Sequence, residues 1–184
     1  MTPADFISTY GYAAVGIGAF LEGETFLVLG GFAAHSGYLE LPWVIASAFT
    51  GALFGDQLYY NLGRLKGKAF LESRPTWKIK SERVFVLMER HQVWLILGFR
   101  FLYGLRVVTP FIIGMGNISR TRFLVLNIVG TTIWATSITV LGFLFGNALE
   151  AIFGNIKKYE IWVLVVLALA GLAIWFFRFR RKST

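Results

Sequence analysis

The stretch FLEGETFLVLGG, residues 20–31, places two carboxylates, Glu22 and Glu24, inside a segment that is otherwise almost wholly apolar. The apolar segment around them, residues 6–35, is about 30 residues long. That length exceeds one membrane span of about 20 residues and is too short for two spans joined by a turn. It fits a helical hairpin, so the sequence predicts a bend with Glu22 and Glu24 at its tip.

Composition indicates the solvent that surrounds this hairpin. Hydrophobic residues make up 56% of the 184 residues and charged residues only 15%, whereas soluble domains carry about 25% charged residues. The chain is therefore predicted to be an integral membrane protein. Its net charge of +8 is expected to set orientation in the membrane. No nucleic-acid partner is expected, because no aromatic-interleaved basic surface accompanies the charge. The sequence has no cysteine and hence no disulfide or thiolate site.

The basic residues are unevenly distributed along the chain. Residues 1–63 contain no lysine or arginine, residues 64–90 contain eight, and the tail at residues 178–182 contains four. Lysine and arginine are enriched on the cytoplasmic side of membrane proteins. The central loop and the C-terminus are therefore predicted to be cytoplasmic, and the N-terminus and residues 150–160 to lie on the opposite side.

The apolar segments of the chain fall into two kinds by length. Three segments have the length of spanning helices: residues 41–62, 123–149 and 161–177. A fourth, residues 93–118, has the same ambiguous length as the first hairpin and contains Arg100, Arg106 and Pro110. The charge map makes the first hairpin start and end outside and the second start and end in the cytoplasm. Both are predicted to be re-entrant, and irregular backbone at membrane depth is tolerated only when buried in protein or lining a cavity.

A short internal repeat links the two hairpins. FLEGE at residues 20–24 stands 81 residues before FLYGL at residues 101–105, and each is followed by an apolar run and a long helix. The predicted fold is an all-α polytopic membrane protein with an inverted repeat, an architecture that many secondary transporters use. It is read as a single membrane domain with these parts: repeat 1 at about residues 6–64, a basic amphipathic cytoplasmic linker at 65–90, repeat 2 at about 91–149, a C-terminal spanning helix at 161–177 and a basic tail at 178–184.

The charged residues within the hairpins define the predicted site. Glu22 and Glu24 lie at one tip, and Arg100 and Arg106 lie near the other. An ionised group in lipid costs several kcal/mol unless it is paired or hydrated, so the tips are expected to meet, with Glu22 or Glu24 facing Arg106. Two interpretations stay open: a structural salt bridge that locks the hairpins together, or a functional site.

Polar residues on the long helices are expected to support this site. Asp56 lies within the span 41–62, and Tyr60 follows one turn later on the same face. Asp56 fits three roles: carrying a proton, capping the arginine cluster, or holding a helix contact. Asn127 and Trp134 lie on one face of the span 123–149, where packing is the expected role and Asn127 is the better choice for a polar contact.

Four motifs, taken in order, resemble the DedA family of membrane proteins, especially its short YohD-like members with a VTT domain. They are LVLGGFAAHSGYL at residues 27–39, GALFGDQLYYNLGR at 51–64, RFLYGLRVVTPFIIGMG at 100–116 and NIVGTTIW at 127–134. The resemblance covers about residues 18–146. It implies a bacterial inner-membrane protein, related to eukaryotic VTT-domain lipid scramblases, that translocates undecaprenyl phosphate or phospholipid with dependence on the proton motive force.

The resemblance also assigns residues. Glu22 and Glu24 match the essential hairpin acids of the family, and Arg100 and Arg106 match its essential arginine pair. This chain departs from the pattern in two places: the acids are separated by one residue without a proline–glycine step, and Tyr103 replaces the usual proline of the arginine motif. These departures leave open which glutamate has which role.

The expected function is a lipid-phosphate flippase. Arg106, helped by Arg100, is expected to bind the phosphate, since the planar guanidinium bonds phosphate through two parallel contacts. Glu22 or Glu24 is expected to accept a proton from outside and release the arginine. The alternatives are a proton-coupled exporter of small cations or drugs and a non-transporting membrane-homeostasis factor. Neither an enzyme nor a cofactor or metal site is expected, since no nucleophile–base pair or metal-ligand spacing is present.

Overall fold

The computed structural model describes residues 3–72, 90–101, 106–116 and 118–153, and all regular structure within these ranges is helical. The helices are α1 (Pro3–Leu21), α2 (Glu24–His35), α3 (Leu41–Glu72), α4 (residues 90–98, continued by a 3-10 turn at Phe99–Phe101), α5 (Val108–Met115) and α6 (Arg120–Phe153). The all-α prediction is confirmed for this part of the chain. The predicted span 161–177, the basic tail and most of the linker lie outside it.

Helices α1 and α2 form a hairpin. The chain leaves α1 after Leu21 and enters α2 at Glu24, and Gly23 has a φ of 91°, a backbone conformation that glycine adopts without a Cβ penalty. Phe26 lies against Gly18, and Val15 lies against Gly30. The two helices therefore run antiparallel, and the bend contains the first of the two acids.

The long helices extend beyond the predicted spans. Helix α3 begins at the predicted residue and continues ten residues further, and α6 exceeds the predicted span 123–149 at both ends. Within the described ranges, one stretch, Arg120–Ala148, is long and apolar enough to cross a membrane by length and composition. Helix α3 is longer than a span requires, but it carries polar residues such as Asp56 and Gln57 in its middle.

Large apolar side chains cover the exposed faces of both long helices. On α3 they include Trp43, Phe54, Leu58 and Leu62; on α6 they include Val125, Ile133, Leu141 and Leu144. The buried residues of the same helices include polar ones, among them Asp56, Asn127 and Thr131. Apolar residues outside and polar residues inside suit lipid as the surrounding solvent.

The chain forms two compact units. The described part of the first unit comprises residues 3–51 and 135–153, and that of the second comprises residues 52–72, 90–101, 106–116 and 118–134. The first unit holds the α1–α2 hairpin, and the second holds α4 and α5. Each long helix thus contributes one part to each unit.

Within each unit, glycines on the long helices let the hairpin backbone approach closely. A Cβ at any of these glycines would overlap a hairpin carbonyl or come closer to it than real Cβ atoms do. In the first unit the contacts are Gly51 with the Gly16 carbonyl and Gly142 with the Val28 carbonyl; in the second they are Gly130 with the Leu97 carbonyl and Gly63 with the Phe111 carbonyl.

These contacts repeat in a fixed register. Gly51 and Gly130 lie 79 residues apart, as do Gly63 and Gly142. Their partners on the first hairpin helices, Gly16 and Leu97, lie 81 residues apart, the same offset that separates FLEGE from FLYGL. Positions in one unit can therefore be matched to positions in the other.

Candidate functional site

A buried ion pair lies at the centre of the second unit. Arg100, in the 3-10 turn after α4, donates from Nε to Oδ2 of Asp56 on α3 at 3.0 Å, and its Nη2 contacts the same oxygen. Arg100 is 4% exposed and Asp56 is 5% exposed. This geometry is compatible both with capping an arginine and with holding a helix contact, and the role of Asp56 stays a prediction.

Three further contacts surround the guanidinium. Arg100 Nη2 also donates to the backbone carbonyl of Ala52, one turn before Asp56, at 2.7 Å. The ring of Trp134 lies against the guanidinium, with Cζ 4.8 Å from the ring centroid, and Phe99 lies at 5.7 Å. A cation over an aromatic face is favoured by about 0.5–2 kcal/mol. Trp134, predicted to serve packing, thus also supports the charge of Arg100.

Asn127 provides a polar group beside this pair. Its side chain is fully buried on α6, and its Oδ1 accepts a hydrogen bond from Thr131 at 3.2 Å. It also lies close enough to the Asp56 carboxylate to interact with it. The amide therefore belongs to the same buried polar cluster as Arg100 and Asp56.

Tyr60 is held in place by a hydrogen bond and a ring contact. Its hydroxyl donates to the backbone carbonyl of Ile118 at 2.8 Å, and its ring stacks on Phe123 with centroids 4.5 Å apart. Arg64, one turn later, donates to the same carbonyl at 3.0 Å and to the Tyr60 hydroxyl at 3.1 Å. These bonds tie the segment before α6 to α3. The sequence analysis missed Arg64 in this role, because it was read only as an orientation charge.

The other predicted residues are divided between the two units. Glu22 is in the bend and Glu24 opens α2, both half-buried in the first unit. Arg106 is half-buried just before α5, and Pro110 is buried within α5, both in the second unit. Arg106 lies within electrostatic range of Asp56. The pairing of Glu22 or Glu24 with Arg106 spans the two units and stays a prediction.

The repeat register identifies the counterparts of the ion pair. The residue 81 positions before Arg100 is Ala19, and the residue 79 positions after Asp56 is Ala135. Both alanines are buried in the first unit, at 2% and 0% exposure. One unit thus has two small apolar residues where the other has an ion pair.

The described ranges contain no group of three or more histidine, cysteine, aspartate or glutamate residues able to hold a metal ion. The functional groups of the buried cluster are a guanidinium, a carboxylate and an amide. Such groups bind and exchange charged ligands, and a guanidinium in particular binds carboxylates and phosphates.

Comparison with known proteins gives a consistent result. The VTT domain matches residues 21–144. The chain is 38% identical over 180 residues to inner membrane protein YohD of Escherichia coli strain K12, covering 96% of this chain and 94% of that protein. It is 29% identical over 158 residues to protein DedA of the same strain, covering 83% and 71%. It is 25% identical over 195 residues to undecaprenyl phosphate transporter A of Staphylococcus aureus strain NCTC 8325, covering 97% and 96%. No solved structure matches significantly.

Proposed function

Since the chain belongs to the VTT-domain family, the DedA family of membrane transport proteins, we propose that it moves a lipid phosphate across the bacterial inner membrane. The observation that carries this proposal is the buried guanidinium of Arg100, which pairs with Asp56 inside a membrane protein. The named function of the staphylococcal relative, transport of undecaprenyl phosphate, adds support. Undecaprenyl phosphate and phospholipids share the phosphate that this chemistry recognises.

The proposed location follows from the relatives and the charge map. YohD is named an inner membrane protein. We place the central basic loop and the C-terminus of this chain in the cytoplasm and the N-terminus outside, because residues 1–63 contain no basic side chain. The two hairpins are then proposed to enter the membrane from opposite faces as an inverted repeat. The recurring glycine contacts support the repeat, and the distribution of basic residues supports its inversion.

Arg106 and Arg100 are proposed to bind the head group. Arg106 is half-buried and Arg100 is buried, so Arg106 is the more accessible of the two, and Arg100 is proposed to assist it. A charge-assisted hydrogen bond from arginine contributes about 1.5–3 kcal/mol. Losing one such bond lowers affinity by about 10- to 100-fold. Tyr60, Pro110, Asn127 and Trp134 support this unit by packing and hydrogen bonding.

The acids are proposed to couple transport to protons. Glu22 and Glu24 lie at the bend of the first hairpin, and Asp56 lies against Arg100. Protonation of a carboxylate removes its attraction for an arginine, which frees the arginine for the head group. A proton gradient directed inward would then drive the exchange, in line with the expected dependence on proton motive force.

The test is lipid translocation in proteoliposomes. Undecaprenyl phosphate and phosphatidylcholine are compared, with and without an inward proton gradient, for the wild type and for Glu24→Gln. Glu40→Gln, at an exposed turn position, is the matched control. We expect gradient-stimulated movement of the lipid phosphate that Glu24→Gln abolishes and Glu40→Gln retains. Full gradient stimulation in Glu24→Gln would refute the proton role, and movement of neither lipid by folded protein would refute the proposed function.

A further inference from the structure

The ion pair occupies one edge of the Arg100 guanidinium through which a phosphate could bind. Nε and Nη2 form the side of the guanidinium that binds an oxyanion through two parallel hydrogen bonds, and both contact Oδ2 of Asp56. We propose that Asp56 is a built-in competitor that occupies Arg100 in the empty transporter and is displaced when the lipid phosphate binds. This inference rests on the proposed function.

The internal repeat argues against a purely structural role for the pair. Its counterparts in the first unit are Ala19 and Ala135, both buried, so the repeated architecture packs at these positions without any charge. Replacing a buried ion pair by apolar residues is often neutral or stabilising. Packing alone therefore gives no reason for Arg100 and Asp56 to be charged.

The surroundings of the pair suit an exchange in which the carboxylate moves and the guanidinium stays. Arg100 keeps its bond to the Ala52 carbonyl and its contact with the Trp134 ring when Asp56 leaves. The amide of Asn127 already lies beside the Asp56 carboxylate, so a polar neighbour remains next to the carboxylate when it leaves the guanidinium.

Competition by a tethered carboxylate has a specific kinetic consequence. It weakens phosphate binding, but it also expels the phosphate after translocation, since Asp56 returns to Arg100. Removing the carboxylate is therefore expected to tighten binding by about tenfold, the scale of one charge-assisted hydrogen bond, and to slow turnover. A merely structural pair predicts the opposite for binding, because its loss would disturb the site.

The first experiment observes the carboxylate in the wild-type protein. The sequence contains two aspartates, Asp5 and Asp56, so labelling with ¹³C-aspartate limits the isotope-shifted carboxylate bands in an infrared difference spectrum to these two side chains. The probe is farnesyl phosphate, a short isoprenoid monophosphate, added to protein in detergent. We expect its binding to shift the labelled band in the wild type and equally in Asp5→Asn. Binding of the probe without a shift would overturn the inference.

The second experiment measures affinity and turnover in variants. Calorimetry gives the Kd for farnesyl phosphate, and vesicle assays give KM and kcat for undecaprenyl phosphate. We expect Asp56→Asn to lower Kd, KM and kcat together, and Asp56→Glu, which keeps the carboxylate, to restore values near those of the wild type. Unchanged or weaker binding by Asp56→Asn would overturn the inference while leaving the proposed function standing. Failure of the wild type to bind the probe or move the lipid would overturn both.

Discussion

The Arg100–Asp56 pair leads to a quantitative prediction about stability. Replacing Asp56 by leucine leaves a guanidinium that is 4% exposed without its anion, and replacing Arg100 by methionine leaves an equally buried carboxylate. Breaking a buried pair in this way costs about 3–5 kcal/mol. The double variant Arg100→Met/Asp56→Leu removes both charges and fills the space with apolar side chains. We expect it to lie within about 2 kcal/mol of the wild type, the main loss being the Trp134 contact.

The assay is a double-mutant cycle on the free energy of unfolding, measured by steric trapping in bicelles. The single variants and the double variant should give a coupling energy of at least about 3 kcal/mol. The control cycle pairs Asp56→Leu with Arg120→Met at the exposed start of α6, where the effects should add. Additive losses in the Arg100–Asp56 cycle would refute the description of these residues as one coupled pair.

Three further predictions concern the scaffold and use the same unfolding assay. Gly63→Ala should lower the free energy of unfolding by about 1–3 kcal/mol, because the added Cβ overlaps a carbonyl of α5. Gly98→Ala, which has open space around it, should be neutral or slightly stabilising. Equal losses in the two variants would contradict the close-packing argument. Tyr60→Phe should lower the free energy of unfolding by about 1 kcal/mol, because it removes a buried hydrogen bond. Tyr59→Phe is the neighbouring control, and a larger loss in that control would contradict the stabilising role of the Tyr60 hydroxyl. Gly23→Ala should lose about 1–2 kcal/mol because of its positive φ, and an unchanged stability would show that the bend relaxes.

Much of the architecture follows from simple counts along the sequence. The bend at residues 22–23 is predictable because an apolar segment of about 30 residues is too long for one span and too short for two. The acids in its middle then mark the position of the bend. The end of α3 is less predictable. Membrane thickness sets the length of a span, but it does not end a helix, and the residues after the span, RLKGKAFLE at 64–72, contain no proline to stop it.

The partner of Arg100 illustrates what sequence alone does not determine. Asp56 and Arg100 are 44 residues apart, and no periodicity connects α3 with the turn after α4. By residue type alone, Glu22, Glu24 and Asp56 were all suitable partners for Arg100. The choice depends on how α4 packs against α3 and α6, which is set by glycine contacts such as Gly130 with the Leu97 carbonyl. Those contacts become interpretable only once the backbone is known.

The internal repeat was visible in the sequence only as three identities in five residues. The helix contacts provide stronger evidence for the repeat, because Gly51 and Gly63 on α3 have counterparts on α6 at one offset of 79 residues. This register identifies Ala19 and Ala135 as the uncharged counterparts of the ion pair. This asymmetry between the units is one reason for proposing a functional role for Arg100 and Asp56.

The most direct test of the central claim is the rate at which undecaprenyl phosphate crosses proteoliposome membranes that contain the wild type, Arg106→Ala or Arg120→Ala. If Arg106 binds the phosphate, its replacement should lower the rate by about 10- to 100-fold. Arg120→Ala, which removes an exposed basic residue at the start of α6, should retain it. Equal rates for the wild type and Arg106→Ala would contradict the phosphate-binding account.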